Sequence, residues 1–387
     1  MFCLSLLRSG HKVAFGRRHY SGLVPGVVAL SQEMKDWRHD FHMHPELSFE
    51  EFRTAEIVAN KLEKWGIQVT RNIAKTGVVG TLEGSLGSKD AGAPKKSIGL
   101  RADMDALAME ELNEFSHRST IPGRMHGCGH DGHTTMLLGA AKYLASSRNF
   151  EGTVHFIFQP AEEEFGGGSY MVREGLFERF PCDSIYGMHN WPLLKAGEIS
   201  VRTGAIMASC DEFKITINGK GGHAAMPHLT VDPIYIGSQL VSALQALVSR
   251  ATNPLKGAVL SVTTFHAGGP ATNVIPEQAL LQGTIRSLDE ETRKDLLSSC
   301  EHLSQSLVSS MGGTCEVAIT TGYPVTVNSQ SESEFCAQIC EKVVGSGKVL
   351  RDVEPTMGAE DFSYMLQNVP GCYLWLGQGK TKSDPMV

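Results

Sequence analysis

Residues Met125–Thr135 read Met-His-Gly-Cys-Gly-His-Asp-Gly-His-Thr-Thr, and this short stretch places Cys128, His130 and His133 among glycines. Thiolate and imidazole groups are ligands that borderline-soft divalent metals prefer. Glycine permits the tight turns that bring several such groups to one point. A single cysteine is more often a small, inert core residue, so Cys128 alone would indicate little. The cluster as a whole predicts a metal-binding loop.

Three predicted strands lead into side chains that bind metals or move protons. The first strand, 98–100, is followed by Asp103 and Asp105. The second, 152–159, is followed by Glu162 and Glu163, and the third, 184–188, is followed by His189. A run of three glutamates is usually a solvated face. Here the run lies between an apolar strand and a glycine loop, which is a poor place for a surface charge run. We therefore expect the strand ends and the loop to form one site.

The order of predicted elements indicates an α/β fold with an insertion. Strands and helices alternate over residues 67–191, which is typical of a mixed sheet covered by helices. Residues 203–320 change to the order strand, helix, strand, strand, helix, strand, which is that of a ferredoxin-like unit. We predict one domain made of residues 30–202 and 321–387, interrupted by a second domain at 203–320.

Composition excludes several classes of protein. The 387 residues are 41% hydrophobic and 20% charged, with a formal net charge of -7. Such a balance gives no electrostatic basis for binding nucleic acid or an anionic membrane. No apolar run approaches the roughly 20 residues that a membrane-spanning helix needs. The nine cysteines contain no Cys-x-x-Cys pair, which favours free thiols in a reducing compartment.

The first 32 residues carry Arg and Lys but no Asp or Glu, and apolar residues alternate with these bases. This pattern is typical of an amphipathic targeting segment. We predict a mitochondrial presequence over residues 1–20 and a location in the mitochondrial matrix. A basic tail on a cytoplasmic protein is the alternative.

The predicted ligands suggest a reaction. One thiolate, two imidazoles and a carboxylate around one point can hold one or two divalent cations. A second carboxylate beside them suits a general base that takes a proton from an attacking water. This combination of metal ligands and a general base is suited to the hydrolysis of an unactivated amide.

The chain resembles the amidohydrolase branch of the dinuclear aminoacylase and carboxypeptidase family, which includes hippurate hydrolases and plant indole-acetyl-amino-acid hydrolases. The likeness runs from about Trp37 to the last residues. The motifs that carry it are His42–Leu47, Leu100–Leu107, Met125–Thr135, Phe158–Glu163, Gly187–His189, Gly222–His228, Asn273–Pro276 and Gly358–Phe362. It implies a metallopeptidase-like catalytic domain, with the inserted ferredoxin-like domain as lid and dimerisation domain.

The resemblance also implies a role for each matching residue. Cys128, His130, Glu163 and His189 match the ligands of two divalent ions, most simply zinc or manganese. Glu162 matches the general base, and Asp105 matches a carboxylate that orients the site without binding metal. His223 matches a lid histidine that completes the partner subunit's site in a homodimer. Asn273 and Arg286 are candidates for holding the substrate carboxylate, although a strand arginine such as Arg286 can equally be an outward surface residue.

One feature departs from the family pattern. The family places a last ligand histidine shortly after the strand that matches Cys372–Leu376, and the residues that follow here contain none. The expectation is therefore a truncated C-terminus or a poorly held second metal. The main hypothesis is hydrolysis of N-acyl amino acids, with deacylation of N-acetyl- or N-succinyl-diamino acids as runner-up. A non-catalytic, dimeric metal-binding relative is the alternative from another class.

Overall fold

The computed structural model describes residues 24–87 and 96–379, which form two compact units. The first unit takes the described residues up to Gly204, then Val327–Val353, and those from Tyr364 onward. The second unit takes Ala205–Thr326 and Glu354–Ser363. The inserted stretch therefore ends six residues later than the 320 expected from sequence. Residues 354–363, expected in the first domain, group with the second unit instead. The proposed presequence lies outside the described residues.

The first unit begins with helices and ends with a strand. Its elements are α1 (Pro25–Val28), α2 (Ser31–Met43), α3 (Phe52–Lys64), β1 (Gln68–Ile73), β2 (Gly77–Glu83), β3 (Ser97–Asp103), α4 (His130–Ser147), β4 (Thr153–Gln159), α5 (Gly167–Arg173), α6 (Leu176–Arg179), β5 (Ser184–Lys195), β6 (Ile199–Ser200), α9 (Gln330–Val344), β15 (Val349–Leu350) and β16 (Gly371–Gly379). The elements at the unit boundaries are β7 (Gly204–Met207), β14 (Thr326–Asn328) and α10 (Ser363–Leu366).

An eight-stranded mixed sheet in the order β1-β2-β4-β3-β5-β16-β6-β15 forms the centre of the first unit. Strands β4, β3, β5 and β16 run parallel to one another, whereas β1 and β2 pair antiparallel at one side. From Val154 to its end at Gln159, β4 is buried throughout, as an internal strand covered on both faces should be. Helices α2, α3 and α4 contribute Phe41, Leu62 and Leu138 to the core on this sheet. The predicted mixed α/β sheet is confirmed.

The second unit is the ferredoxin-like insertion. Its elements are β8 (Asp211–Asn218), β9 (Gly222–His223), α7 (Pro233–Ala246), β10 (Ala258–Ala267), β11 (Val274–Ile275), β12 (Gln278–Ser287), α8 (Glu290–Ser310) and β13 (Thr314–Thr321). The sheet order β10-β12-β8-β13 is antiparallel throughout. In β8 the residues facing inward, including Phe213 and Ile215, are buried and alternate with more exposed ones. Arg293 of α8 donates to the buried Asp211 of β8 at 2.8 and 2.7 Å, which joins helix to sheet.

Across residues 24–87 and 96–379, no helix has the length and apolar character that crossing a membrane requires.

Candidate metal centre

The site forms at the carboxyl edge of the parallel strands in the first unit. Strands β3 and β4 are parallel neighbours, so the residues that follow them emerge at the same edge, where α/β sheets place their ligands. The predicted strand at 184–188 continues to Lys195, so His189 lies within β5 and not after its end. The loop of Cys128 and the first turn of α4 complete the edge.

Gly129 joins the loop to α4 and cannot readily be any other residue. Its φ is 97°, in the left-handed region that side chains disfavour. A Cβ at this position would also collide with the side-chain amide of Asn190. Glycine therefore lets the chain turn between Cys128 and His130 while packing closely on β5.

The four predicted ligands come together around His130. The Sγ of Cys128 lies 3.2 Å from Nε2 of His189. The Nε2 of His130 lies 3.8 Å from Oε1 of Glu163. Potential ligand atoms of Cys128, His130 and His189 all lie within 4.8 Å of one another, and those of His130, Glu162 and Glu163 do likewise. This spacing allows a cation to be shared within each set.

Among the residues that the structure describes, two buried polar atoms at this point have no hydrogen-bond partner. They are Nε2 of His130 and Oε1 of Glu163. Leaving such atoms unsatisfied in a protein interior is costly, and native structures avoid it. Both are good ligands for a divalent cation, and a thiol and a second imidazole lie beside them. The donor set therefore fits a metal centre.

The two candidate ligand histidines, His130 and His189, are each held through Nδ1. The Nδ1 of His130 lies 2.9 Å from the backbone oxygen of Asp105. The Nδ1 of His189 lies 2.6 Å from the backbone oxygen of Asn190. Because a carbonyl can only accept, Nδ1 carries a proton in both rings, and in the neutral form of each ring Nε2 carries none, which is the tautomer that a metal requires. The backbone thus orients both rings toward the site.

Asp105 lies beneath the two glutamates and orders their backbone. Its Oδ1 accepts the N–H of Glu162 and its Oδ2 accepts the N–H of Glu163, both at 3.0 Å. The hydroxyl of Ser48 donates to the same Oδ2 at 2.8 Å. Asp105 therefore fixes the peptide groups that carry both side chains, and its role in orienting the site stays a prediction.

His133 lies in the first turn of α4, one turn after His130, but contacts other residues. Its Nδ1 lies 2.6 Å from Oδ1 of Asp103, and its Nε2 accepts the N–H of Asn190 at 3.0 Å. Arg101 donates to the other oxygen of Asp103 at 2.7 Å. These contacts occupy both nitrogens of His133, so we assign it to the frame of the site. Asp103 was expected at the site as a strand-end carboxylate, but its contacts with His133 and Arg101 were not predicted, and neither were the roles of Arg101 and Ser48.

Burial and charge set the protonation of the candidate ligands. Burial raises the pKa of the Cys128 thiol to about 11. Burial also lowers the pKa of His189 to about 3, which keeps that ring neutral. For His130 burial acts in the same direction, but the nearby charge of Asp103 outweighs it and holds the pKa well above its usual value. Cys128 and His130 therefore carry protons that a bound cation would displace.

The remaining predicted residues lie in the second unit. His223 is exposed in β9, and its Nδ1 accepts the N–H of Ala225 at 3.1 Å. Asn273 is exposed, and its backbone oxygen accepts the N–H of Ala224 at 2.9 Å. Arg286 is half-buried and donates to the backbone oxygen of Met357 at 2.9 Å. Their roles toward a substrate stay predictions.

Comparisons with known proteins agree in family and fold. The family model of peptidase family M20/M25/M40 matches residues 99–385. The hippurate hydrolase of Campylobacter jejuni is 40% identical over 360 residues, covering 92% of this chain and 90% of its own. An N-acyl-L-amino acid amidohydrolase of Geobacillus stearothermophilus is 42% identical over 304 residues, covering 78% and 80%. The crystal structure of Bacillus subtilis YXEP, a dinuclear metal binding peptidase from the M20 family, superposes with a TM-score of 0.77 at 32% identity, covering 90% and 89%.

Proposed function

The chain belongs to peptidase family M20/M25/M40 and is an enzyme that acts on amides, and on this premise we propose that it hydrolyses N-acyl amino acids. The products would be a carboxylic acid and a free amino acid. The observation that carries the proposal is the carboxylate of Glu162 beside His130 and Glu163, with ligand atoms of all three within 4.8 Å. The similarity to a hippurate hydrolase and an N-acyl-L-amino acid amidohydrolase supports this substrate class.

Glu162 is the residue to which we assign the proton transfers. Its carboxylate would take a proton from the attacking water and later donate that proton to the amine nitrogen of the departing amino acid. The N–H of Glu162 is held by Asp105, which keeps the base directed at the site. Glu162 is itself buried, so little bulk water competes for its carboxylate.

Cys128, His130, Glu163 and His189 would hold two divalent cations. A bound divalent cation polarises the amide carbonyl and lowers the pKa of water. A thiolate with imidazoles suits zinc, and the carboxylate also suits manganese. Elemental analysis of protein purified without added metal would identify the ion.

The second unit would supply the groups that hold the substrate. We assign Asn273 and Arg286 to the substrate carboxylate, because guanidinium binds carboxylate in a bidentate geometry. We assign His223 to the oxyanion in the partner subunit's site of a homodimer, formed through the second unit. Mixing inactive His223→Ala and Glu162→Gln variants tests this arrangement. Exchange of subunits should restore roughly a quarter of wild-type activity. About half of the dimers are then mixed, and one of the two sites in each mixed dimer is intact.

For location we propose the mitochondrial matrix, on the basis of the basic, acid-free segment at residues 1–32. Fusing residues 1–32 to a fluorescent protein should direct that protein to mitochondria. A cytoplasmic signal would favour the alternative.

The experiment that tests the function is amino-acid release from a panel of N-acyl amino acids by the 387-residue chain. The panel carries benzoyl, arylacetyl and medium alkyl groups, with N-acetyl- and N-succinyl-diamino acids for the runner-up. Each reaction is run with added zinc or manganese and after chelation. Metal-dependent release is the expected result. Metal binding without release from any compound would contradict the proposal and favour a non-catalytic relative.

A further inference from the structure

Glu51 is a buried carboxyl group that joins three separate segments of the first unit. It precedes α3 and is fully buried. Its Oε1 accepts the N–H of Phe49 at 3.0 Å and the N–H of Ala161 at 2.8 Å. Its Oε2 accepts the hydroxyl of Thr76, in the turn between β1 and β2, at 2.5 Å. One side chain therefore connects its own loop, a hairpin turn and the peptide that immediately precedes Glu162.

The two backbone groups on Oε1 belong to residues in an unfavourable conformation. Phe49 has a φ of 60° and Ala161 a φ of 53°, both in the left-handed region. Residues with a Cβ seldom occupy this region, and bulky ones such as phenylalanine are true outliers. Strain of this kind persists only where the surroundings enforce it, and it is concentrated at functional sites. Oε1 of Glu51, which accepts both N–H groups, is a direct means of holding Phe49 and Ala161 in this conformation.

Ala161 begins a run of three consecutive N–H groups that end on two buried carboxylates. The N–H of Ala161 goes to Glu51, and those of Glu162 and Glu163 go to Asp105 at 3.0 Å each. The left-handed turn at Ala161 changes the direction of the chain after β4. The two glutamate side chains then have oxygens within 4.8 Å of a nitrogen of His130. Holding the Ala161 peptide thus holds the start of the segment that carries base and ligand.

We propose that Glu51 is a positioning residue of this site: by fixing the Ala161 peptide it sets the directions of the general base Glu162 and the metal ligand Glu163. The part that concerns Glu162 rests on the proposed function. The part that concerns Glu163 does not, because it predicts metal affinity independently of any substrate. Glu51 acts through the backbone of Ala161, so its loss should affect turnover and metal affinity more than substrate binding.

A purely structural role is the competing explanation, since Glu51 also lies at the start of α3 and anchors the hairpin through Thr76. Three substitutions at position 51 separate these roles. Glu51→Gln keeps an oxygen that can accept both N–H groups. Glu51→Asp keeps a carboxyl group and a favourable helix-capping side chain, but its shorter chain cannot reach Ala161. Glu51→Ala removes the carboxyl group and with it all three hydrogen bonds. Thr76→Val is the matched control, because it removes the hairpin contact alone.

The readouts are kcat and KM on a substrate that the wild-type chain hydrolyses, the dissociation constant for zinc, and Tm. Partners of metal ligands typically contribute about 10- to 100-fold in affinity or activity. We expect Glu51→Ala and Glu51→Asp to lower kcat by about 10- to 100-fold and to weaken zinc binding by a similar factor, with KM within about threefold. Glu51→Gln should restore both quantities to within about threefold of wild type. Thr76→Val should lower Tm while leaving kcat and zinc affinity within the same range.

Adding Ala161→Gly to Glu51→Ala provides a further check, because glycine adopts a left-handed φ without strain. The double variant should have a several-fold higher kcat and tighter zinc binding than Glu51→Ala alone, which would show that the two positions are coupled.

The proposal is overturned if Glu51→Asp keeps wild-type kcat and zinc affinity, or if Glu51→Gln is as impaired as Glu51→Asp. Should Glu51→Ala fail to fold, the Asp and Gln variants decide alone. Should the wild type hydrolyse no compound of the panel, zinc affinity still decides the role of Glu51.

Discussion

The thiol of Cys128 lies 3.2 Å from Nε2 of His189, although 61 residues separate the two along the chain. Cys128 comes from the glycine-rich loop before α4, and His189 comes from the interior of β5. Gly129, in its left-handed conformation, allows the loop to approach β5 this closely. A thiol and an imidazole at this distance either share a proton or bind one cation, and Glu163 and His130 nearby favour the cation.

Zinc binding should release protons, with Cys128 supplying one of them. Burial raises the pKa of this thiol to about 11, so it is protonated at neutral pH, whereas only the thiolate binds metal. Titration calorimetry at pH 7.5 in buffers of different ionisation enthalpy counts the protons. Cys128→Ala should release about one proton fewer per zinc and weaken affinity by at least about 100-fold. Cys182→Ala is the control, because burial likewise raises the pKa of Cys182 to about 12. An equal effect of both substitutions would exclude Cys128 as a ligand.

Removing the carboxylate of Glu162, the base that we propose, should lower turnover while leaving metal content unchanged. Glu162→Gln keeps the shape of the side chain but cannot accept a proton, and general bases contribute about 10²- to 10⁴-fold. We expect kcat to fall by that factor with unchanged metal stoichiometry by elemental analysis. Glu164→Gln, two residues along the same run, should change kcat by less than about threefold. Loss of metal in Glu162→Gln would mean that Glu162 and Glu163 have each other's roles.

Much of the site could be predicted because parallel strands place their carboxyl ends at one edge. The residues Glu163 and His189 each followed a predicted strand, and the structure brings them together with Cys128 of the glycine-rich loop. The end of β5 could not be predicted, because Pro192 resembles the start of a loop. In the structure β5 pairs with β16, and Trp191 stacks on Trp375 at 4.1 Å, so a partner almost two hundred residues away extends the strand.

The residues that were missed have partners that no local pattern reveals. Glu51 is one of two consecutive glutamates before a helix, which is an ordinary place for an acid. Its importance comes from Thr76 and Ala161, which only the folded sheet brings near. The same holds for residues 354–363, whose membership of the second unit depends on backbone pairing such as that of Thr356 with Met207.

The buried ion pair of Arg101 and Asp103 should be essential for stability. Both side chains are almost completely buried, and their charged atoms lie 2.7 Å apart. Burial alone would raise the pKa of Asp103, but the charges of His130 and Arg101 outweigh it and hold this pKa well below its usual value. Arg101→Met removes the guanidinium and leaves His133 as the hydrogen-bonding partner of this carboxylate, and breaking a buried ion pair in this way typically costs about 3–5 kcal/mol. Denaturant titration at pH 7 measures this loss. Arg53→Met, which breaks the half-exposed pair with Asp40, should cost at most about 1 kcal/mol. Equal losses would show that Asp103 is stabilised chiefly by His133.

The pH dependence of stability should contain a contribution from Glu51. Burial raises the pKa of this carboxyl to about 7 in the folded protein, and the charge of Asp105 acts in the same direction. A raised folded pKa means that the contribution to stability is complete below the unfolded pKa near 4.5 and is lost as pH rises through 7. The loss amounts to at most about 3 kcal/mol, since one pKa unit corresponds to about 1.4 kcal/mol. Glu51→Gln carries no ionisable group at position 51. The free energy of unfolding of this variant should therefore rise, relative to that of the wild type, by about 2 kcal/mol between pH 5 and pH 8.

Urea titrations of chelated protein at four pH values measure the difference, and Glu56→Gln, on the exposed face of α3, is the control. A constant difference between Glu51→Gln and wild type across this range would show that Glu51 is ionised throughout, with its three hydrogen bonds offsetting the burial of its charge.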